Sequence, residues 1–279
     1  YPAEIRGVVK DYAATETTKT VSSIWTEGDA IGVTTAAGIS KISYIMTDDR
    51  NVKYAYNAEK DVFQVVSKEG EDHTIYFKGP YTMSMTAYAP YTGERGTLAG
   101  VIQASTTSEK QVGTARATID FLYAEGGGSQ TNPRVEFQFF HKMSQLVLAF
   151  KAGGGLELDD ISYTLKNIIL DGSFDTSAGS VASGKTTGNI NMSLAKGKEM
   201  NSSVIVFPQK LASTLLLELA MGGKTYAQPI GNGIDLISGN TYIFDVTIAP
   251  QSMTVSPAKI EDWIWGENSD HYVIAGESE

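Results

Sequence analysis

Three histidines, a few close-set carboxylates and a scatter of aromatic residues are the side chains here that could carry chemistry. The histidines are His73, His141 and His271, and there is no cysteine anywhere in the chain. A Ser-His-Asp hydrolase needs its imidazole beside a primed serine, and no Gly-x-Ser-x-Gly elbow occurs. Missing cysteine removes disulfide scaffolds, thiolate-zinc sites, iron–sulfur clusters and thiol nucleophiles together. Asp48-Asp49, Asp159-Asp160 and Asp171-Gly172-Ser173-Phe174-Asp175 are the acidic groups dense enough for a glycosidase pair or a calcium loop. Glycoside hydrolysis needs two carboxyls at a set separation in space, which sequence spacing does not fix. The stretch from Asp171 lacks the alternating acids and closing Glu of an EF-hand loop, so these groups read as turns, where Asp bonds its own neighbouring backbone. Gly153-Gly154-Gly155 has neither the spaced glycines nor the Lys-Ser/Thr of a phosphate cradle. Trp263 and Trp265, with Tyr88 and Tyr91, are of the type that stacks on sugar rings, although aromatics in β proteins are mostly core. No catalytic residue, metal ligand or cofactor site is expected, and the chain is read as a non-enzyme.

The elements that would position such groups are strands. Tyr81, Met83, Met85 and Ala87 alternate with polar residues, Val135, Phe137 and Phe139 oppose Glu136 and Gln138, and Tyr242, Phe244, Val246 and Ile248 oppose Asp245 and Thr247. Period-2 alternation is the mark of a half-buried strand. Val204–Phe207 and Leu215–Leu217 are continuous apolar runs, as in strands covered on both faces. Thr118–Ala124 is read as strand in preference to a short helical turn. Turn signals recur between the runs, among them Gly93-Glu94-Arg95-Gly96, Gly222-Gly223 and Gly239-Asn240, a spacing that predicts an all-β chain of sandwich type. At 279 residues the chain accommodates two domains of about 100–150 residues each. Gly126-Gly127-Gly128-Ser129-Gln130-Thr131-Asn132-Pro133 is the candidate junction, because glycine disfavours regular elements and proline resists pairing. The expected division is residues 1–128 and 129–279, and the alternative is a hairpin within one larger sandwich.

A net charge of −10 offers no basic stripe for nucleic acid and no attraction to anionic membranes. No apolar run approaches the roughly 20 residues that span a bilayer, so any membrane tie is expected to be a lipid anchor upstream of Tyr1.

One set of segments goes further than composition. Trp25 followed by Gly28-Asp29-Ala30-Ile31-Gly32-Val33 resembles the N-terminal signature of the fimbrillin family, the surface pilus subunits and adhesins of gut and oral Gram-negative bacteria. Tyr88-Ala89-Pro90-Tyr91, Asp120–Ala124, Phe137–Leu146, Val206-Phe207-Pro208-Gln209, Gly239-Asn240-Thr241-Tyr242-x-Phe244 and Ile260-Glu261-Asp262-Trp263 are similar to later family segments in the same order.

That resemblance implies two transthyretin-like β-sandwich domains in tandem, export as a lipoprotein to the outer-membrane surface, and assembly by donor-strand exchange. A protease removes the first strand and a strand from the next subunit fills the groove. Carried onto this chain, the removable strand is Ile5-Arg6-Gly7-Val8-Val9, with Ile5, Val8 and Val9 as its apolar residues. Family stalk subunits are cut after a basic residue beyond that strand; no Arg occurs between Arg6 and Arg50, which leaves Lys19 as the candidate processing site. The candidate donor strands are Trp263-Ile264-Trp265 and Tyr272-Val273-Ile274. The implied partners are other pilus subunits and surface receptors or glycans. The rival readings are a monomeric glycan-binding surface lipoprotein and, more remotely, a β-sandwich glycoside hydrolase.

Overall fold

The computed structural model describes residues 1–9, 25–35, 49–197, 200–212, 215–231 and 233–263. The described residues form strands and two 3₁₀ turns, Ser108–Lys110 and Gly113–Thr118. The chain divides into two compact units. One comprises residues 1–102, 121–142 and 175–180; the other comprises 103–120, 143–174 and 181–279.

The first unit is a closed barrel of seven strands: β1 (Glu4–Val9), β2 (Ala30–Thr35), β3 (Val52–Asn57), β4 (Val62–Val65), β5 (Met83–Ala89), β7 (Leu122–Gly128) and β8 (Arg134–His141). Around the ring they run β1-β4-β3-β2-β5-β7-β8. Alternation sets its inside. Val135, Phe137 and Phe139 of β8 are fully buried, as are Ile31 and Val33 of β2, and Met83, Met85 and Ala87 of β5 are nearly so. Tyr81, read with the last group, is instead 66% exposed, because the strand begins only at Met83.

The Gly126–Pro133 stretch does not join two domains. Gly126–Gly128 pair with Met83–Met85 as the end of β7, and Ser129 and Asn132 close a hairpin into β8. The glycines are there for room. A Cβ on Gly128 would lie 2.5 Å from the Phe77 ring, and one on Gly126 would lie 3.0 Å from Phe137.

β6 (Val101–Ser105), β11 (Asp171–Asp175) and β12 (Ser180–Ser183) form a three-stranded sheet in the order β12-β11-β6. Asp171–Asp175, expected as a turn, is thus a strand. Phe174 is fully buried, and a Cβ on Gly172 would lie 2.5 Å from the Ala182 carbonyl oxygen.

In the second unit two sheets share one core. The first holds β10 (Ile161–Ile169), β13 (Thr187–Leu194), β15 (Leu216–Met221) and β16 (Lys224–Pro229); the second holds β9 (Ser144–Ala152), β14 (Met200–Val206), β17 (Asn240–Ala249), β18 (Ser252–Val255) and β19 (Lys259–Asp262). Tyr242, Phe244, Val246 and Ile248 of β17 are all fully buried, and Val204–Phe207 is buried on both faces. The rings of Phe150 on β9 and Tyr163 on β10 meet at 5.6 Å, and the Tyr163 hydroxyl shares a hydrogen bond of 2.8 Å with Ser202 of β14. Both ties cross between the sheets. Gly222 and Gly223, at φ 55° and 75°, make the two-residue β15–β16 turn, where both positions need the left-handed region.

Candidate functional site

The most distinctive local arrangement is the slot held by β1. Its register with β8 is parallel, from Glu4 opposite Arg134 to Val9 opposite Phe139. On its other side it is antiparallel to β4, with Ile5 opposite Phe63. β1 is therefore the strand that closes the ring between β4 and β8. Alternation turns Ile5, Gly7 and Val9 inward; Ile5 is 1% and Val9 6% exposed. Val8, grouped with them from sequence, is 36% exposed and points the other way. At the start of the strand, the Ala3 N–H donates to the Ile75 carbonyl at 2.9 Å and the Glu4 N–H to the Pro133 carbonyl at 3.0 Å.

Trp25 locks the middle of this strand. Its indole Nε1–H donates to the Gly7 carbonyl at 3.0 Å. Its ring stands edge-on to Phe63 of β4 and Phe139 of β8, with centroids 5.1 Å and 5.2 Å away. Such T-shaped pairs add to the burial of the rings. The Gly28-Asp29 turn then leads into β2. Asp29 Oδ2 accepts from the Thr26 N–H at 2.8 Å, and Gly28 sits at φ 88°. The backbone of this turn exchanges bonds with Tyr56 of β3. The family resemblance pointed to Trp25 and to Ile5–Val9 as a strand, but not to the role of Gly7. The signal was present as a glycine midway between two apolar residues, Ile5 and Val9.

Asp159, Asp160, Asp171 and Asp175 each accept from a backbone N–H, and Asp48 lies outside the described residues. Asp171 accepts from the Thr186 N–H at 2.8 Å and from its hydroxyl at 3.1 Å. Asp175 Oδ1 accepts from the Ser177 N–H at 2.9 Å, and Asp160 Oδ1 from the Lys196 N–H at 2.8 Å. Asp159 Oδ1 accepts from the Asp160 N–H at 2.9 Å. The His73 ring sits 2.6 Å from Glu71 Oε2, and that hydrogen bond holds the Glu71 carboxyl below its usual range. His141 is buried at the end of β8. Tyr88 is buried, with its hydroxyl 2.8 Å from both Asn51 Oδ1 and the Thr92 carbonyl, so it presents no ring for stacking. His271 and Trp265 lie outside the described residues.

Of the other candidates, Lys19, Ile264, Tyr272, Val273 and Ile274 also lie outside them. Trp263 belongs to the second unit and is 6% exposed. Its N–H donates to the Gly239 carbonyl at 2.6 Å, so giving up this residue as part of a donor strand means withdrawing it from that seat. Just before it, β19 pairs with the first half of β17, from Asn240 opposite Asp262 to Ile243 opposite Lys259. All four of its side chains are exposed.

β19 is tied down at its first residue by charge. Asp245 of β17 accepts from Lys151 Nζ at 2.7 Å and from Lys259 Nζ at 3.1 Å. Those bonds, Lys151 first, hold the Asp245 carboxyl below the ordinary range. A carboxyl depressed in the folded state contributes stability above its unfolded pKa and loses it as pH falls through the folded one. Acidification from about pH 6 to about pH 3 is therefore expected to loosen β19 while β18 stays protected. Hydrogen-exchange protection factors for residues 259–262 against 252–255 check this. Asp245→Asn should abolish the pH dependence, and equal protection at both pH values would contradict it.

The sequence profile of the family described as Fimbrillin-like matches residues 14–263. A protein of Bacteroides uniformis, provisionally named fimbrium subunit Fim1C, is 27% identical over 265 residues, covering 89% of this chain and 82% of its own. The crystal structure of a provisionally assigned cell adhesion protein from Bacteroides ovatus superimposes with a TM-score of 0.85 at 33% identity, over 96% of this chain and 99% of that one. Another such protein, from Bacteroides uniformis, gives a TM-score of 0.70 at 22% identity over 94% and 98%, which bears on the fold.

Proposed function

The chain belongs to the Fimbrillin-like family, and from that premise we propose that it is a non-catalytic fimbrial or adhesive subunit at the bacterial surface, joined to other subunits by exchange of β1. Its two units correspond, in this reading, to tandem transthyretin-like domains. Surface attachment is through a lipid anchor upstream of Tyr1. The names of the relatives, a fimbrium subunit and a cell adhesion protein, support the coarse role.

The observation that carries the finer reading is the place of β1 in the barrel. It closes the ring between β4 and β8, yet it sends only two sizeable side chains, Ile5 and Val9, into the core. Each is worth about 1.5–3 kcal/mol of burial, a loss comparable to the low end of a domain's net stability of about 5–15 kcal/mol. Withdrawing β1 would leave the edges of β4 and β8 unpaired above an apolar slot, and an added strand satisfies both demands at once. Lys19 is the proposed cleavage point that frees β1. Ile264-Trp265 with Trp263, or Tyr272-Val273-Ile274, is the proposed strand given to a neighbouring subunit.

The cellular half of this reading is tested on intact cells producing the protein. The chain is expected in the sheared fibre fraction and to be degraded by protease added outside. A chain that stays protected until the cells are lysed would refute surface placement.

A further inference from the structure

The β1 slot has a shape that restricts what can fill it. Three inward positions run along the strand, and the middle one holds no side chain. Gly7 lies in ordinary extended strand, so the demand there is for space and not for an unusual backbone conformation. A Cβ at that position would sit 2.8 Å from Phe139 Cε2 and 3.0 Å from Phe63 Cε2. Both rings are core residues, with Phe139 fully buried and Phe63 3% exposed. Trp25 stands edge-on to each of them, which leaves little room for either to turn aside in a close-packed interior. The Trp25 indole reads only a carbonyl, at 3.0 Å, which any strand supplies. Selectivity therefore falls on the side chains: apolar at the first and third inward positions, none at the second.

The candidate donors of this same chain do not meet that pattern. Trp263 and Trp265, or Tyr272 and Ile274, place large side chains at successive positions of one face. Gly266 is flanked two residues away by Ile264 and Asn268, and Gly276 by Ile274 and Ser278, so each would bury a polar group in the slot. We infer that the slot selects an apolar-x-Gly-x-apolar strand, a pattern that the Trp263–Trp265 and Tyr272–Ile274 segments do not supply. Gly7, Phe63, Phe139 and Trp25 set the choice. This rests on the strand-exchange reading above.

The test uses the full chain with a specific-protease site placed between residues 14 and 20, cut after folding and incubated with fluorescein-labelled peptides. The Tyr1–Lys10 peptide is expected to enter the slot, read by fluorescence anisotropy. Its Gly7→Val version is expected to bind about tenfold to a hundredfold more weakly, the effect of overpacking a filled core. Valine favours strands more than glycine does, so such a loss belongs to the slot and not to the peptide. In cut protein carrying Phe139→Leu the difference should shrink. The peptide of residues 263–279 should show no entry over the same concentrations. Equal binding of the Gly7→Val peptide, an unchanged difference in the Phe139→Leu protein, or entry of the 263–279 peptide as tight as the native one would overturn the inference while leaving strand exchange standing. Failure of the native Tyr1–Lys10 peptide to enter would instead overturn the exchange reading, and this inference with it.

Discussion

Replacing Trp25 with alanine is expected to cost the barrel about 3–5 kcal/mol, the range for deleting a large buried aromatic, and to free β1 before the other strands open. The ring is 9% exposed and is the shared neighbour of Phe63 and Phe139. Its loss leaves a cavity against both of the strands that flank β1. It also removes the indole hydrogen bond to the Gly7 carbonyl, and losing a buried hydrogen-bond partner adds its own penalty. Hydrogen exchange followed by mass spectrometry should show residues 4–9 losing protection well ahead of 83–89. Trp25→Phe, which keeps most of the packing and loses only the N–H, should fall between. If residues 4–9 stay as protected as in the parent, Trp25 is not the clamp on β1.

Fixing β1 in place is expected to abolish assembly outright. Val8 and Gln138 are register partners on β1 and β8, and both point outward. The chain has no cysteine of its own, so the pair Val8→Cys and Gln138→Cys makes one disulfide and no other. Directly paired strand residues lie within the usual Cα separation for such a bridge, about 4.4–6.8 Å. After cleavage between residues 14 and 20, the oxidised protein should remain monomeric in mixtures with fibre subunits, and adding reductant should restore joining. Light scattering after size exclusion reads both states. Assembly that proceeds equally with the bridge closed would mean that subunits join elsewhere.

How far the sequence foretold this arrangement depends on the range of the contact concerned. Alternation placed β8 and β17 correctly, because which face a residue takes is a local property of the strand. Closure of the barrel was not legible, since it depends on β1 pairing in parallel with residues about 130 positions away and no local pattern encodes that. The glycines misled for a physical reason. Gly126–Gly128 were read for flexibility, whereas their place in β7 is set by the rings of Phe77 and Phe137 pressing on the strand; flexibility and room are signalled by the same residue. Gly7 carries the same meaning and gave the same weak signal. Asp171–Asp175 looked like a turn, and its carboxylates do accept turn-like bonds, but buried Phe174 makes the segment a strand. Thr118–Ala124 was read as strand, and only Leu122 onward belongs to one. Gln111 was invisible. Its amide donates to Ile205 O and accepts from Ile205 N, at 2.9 Å and 2.8 Å, standing in for a neighbouring strand along β14. Only folding brings those two positions together.

The central claim is that β1 is a replaceable part of the barrel. The most direct measurement is fragment exchange in the cut protein. Isotope-labelled chain, cleaved between residues 14 and 20, is mixed with unlabelled cleaved chain and followed by native mass spectrometry. Replaceability predicts that the N-terminal fragment distributes between labelled and unlabelled barrels while both bodies remain folded. A fragment that stays with its original barrel until the barrel itself unfolds would contradict the account.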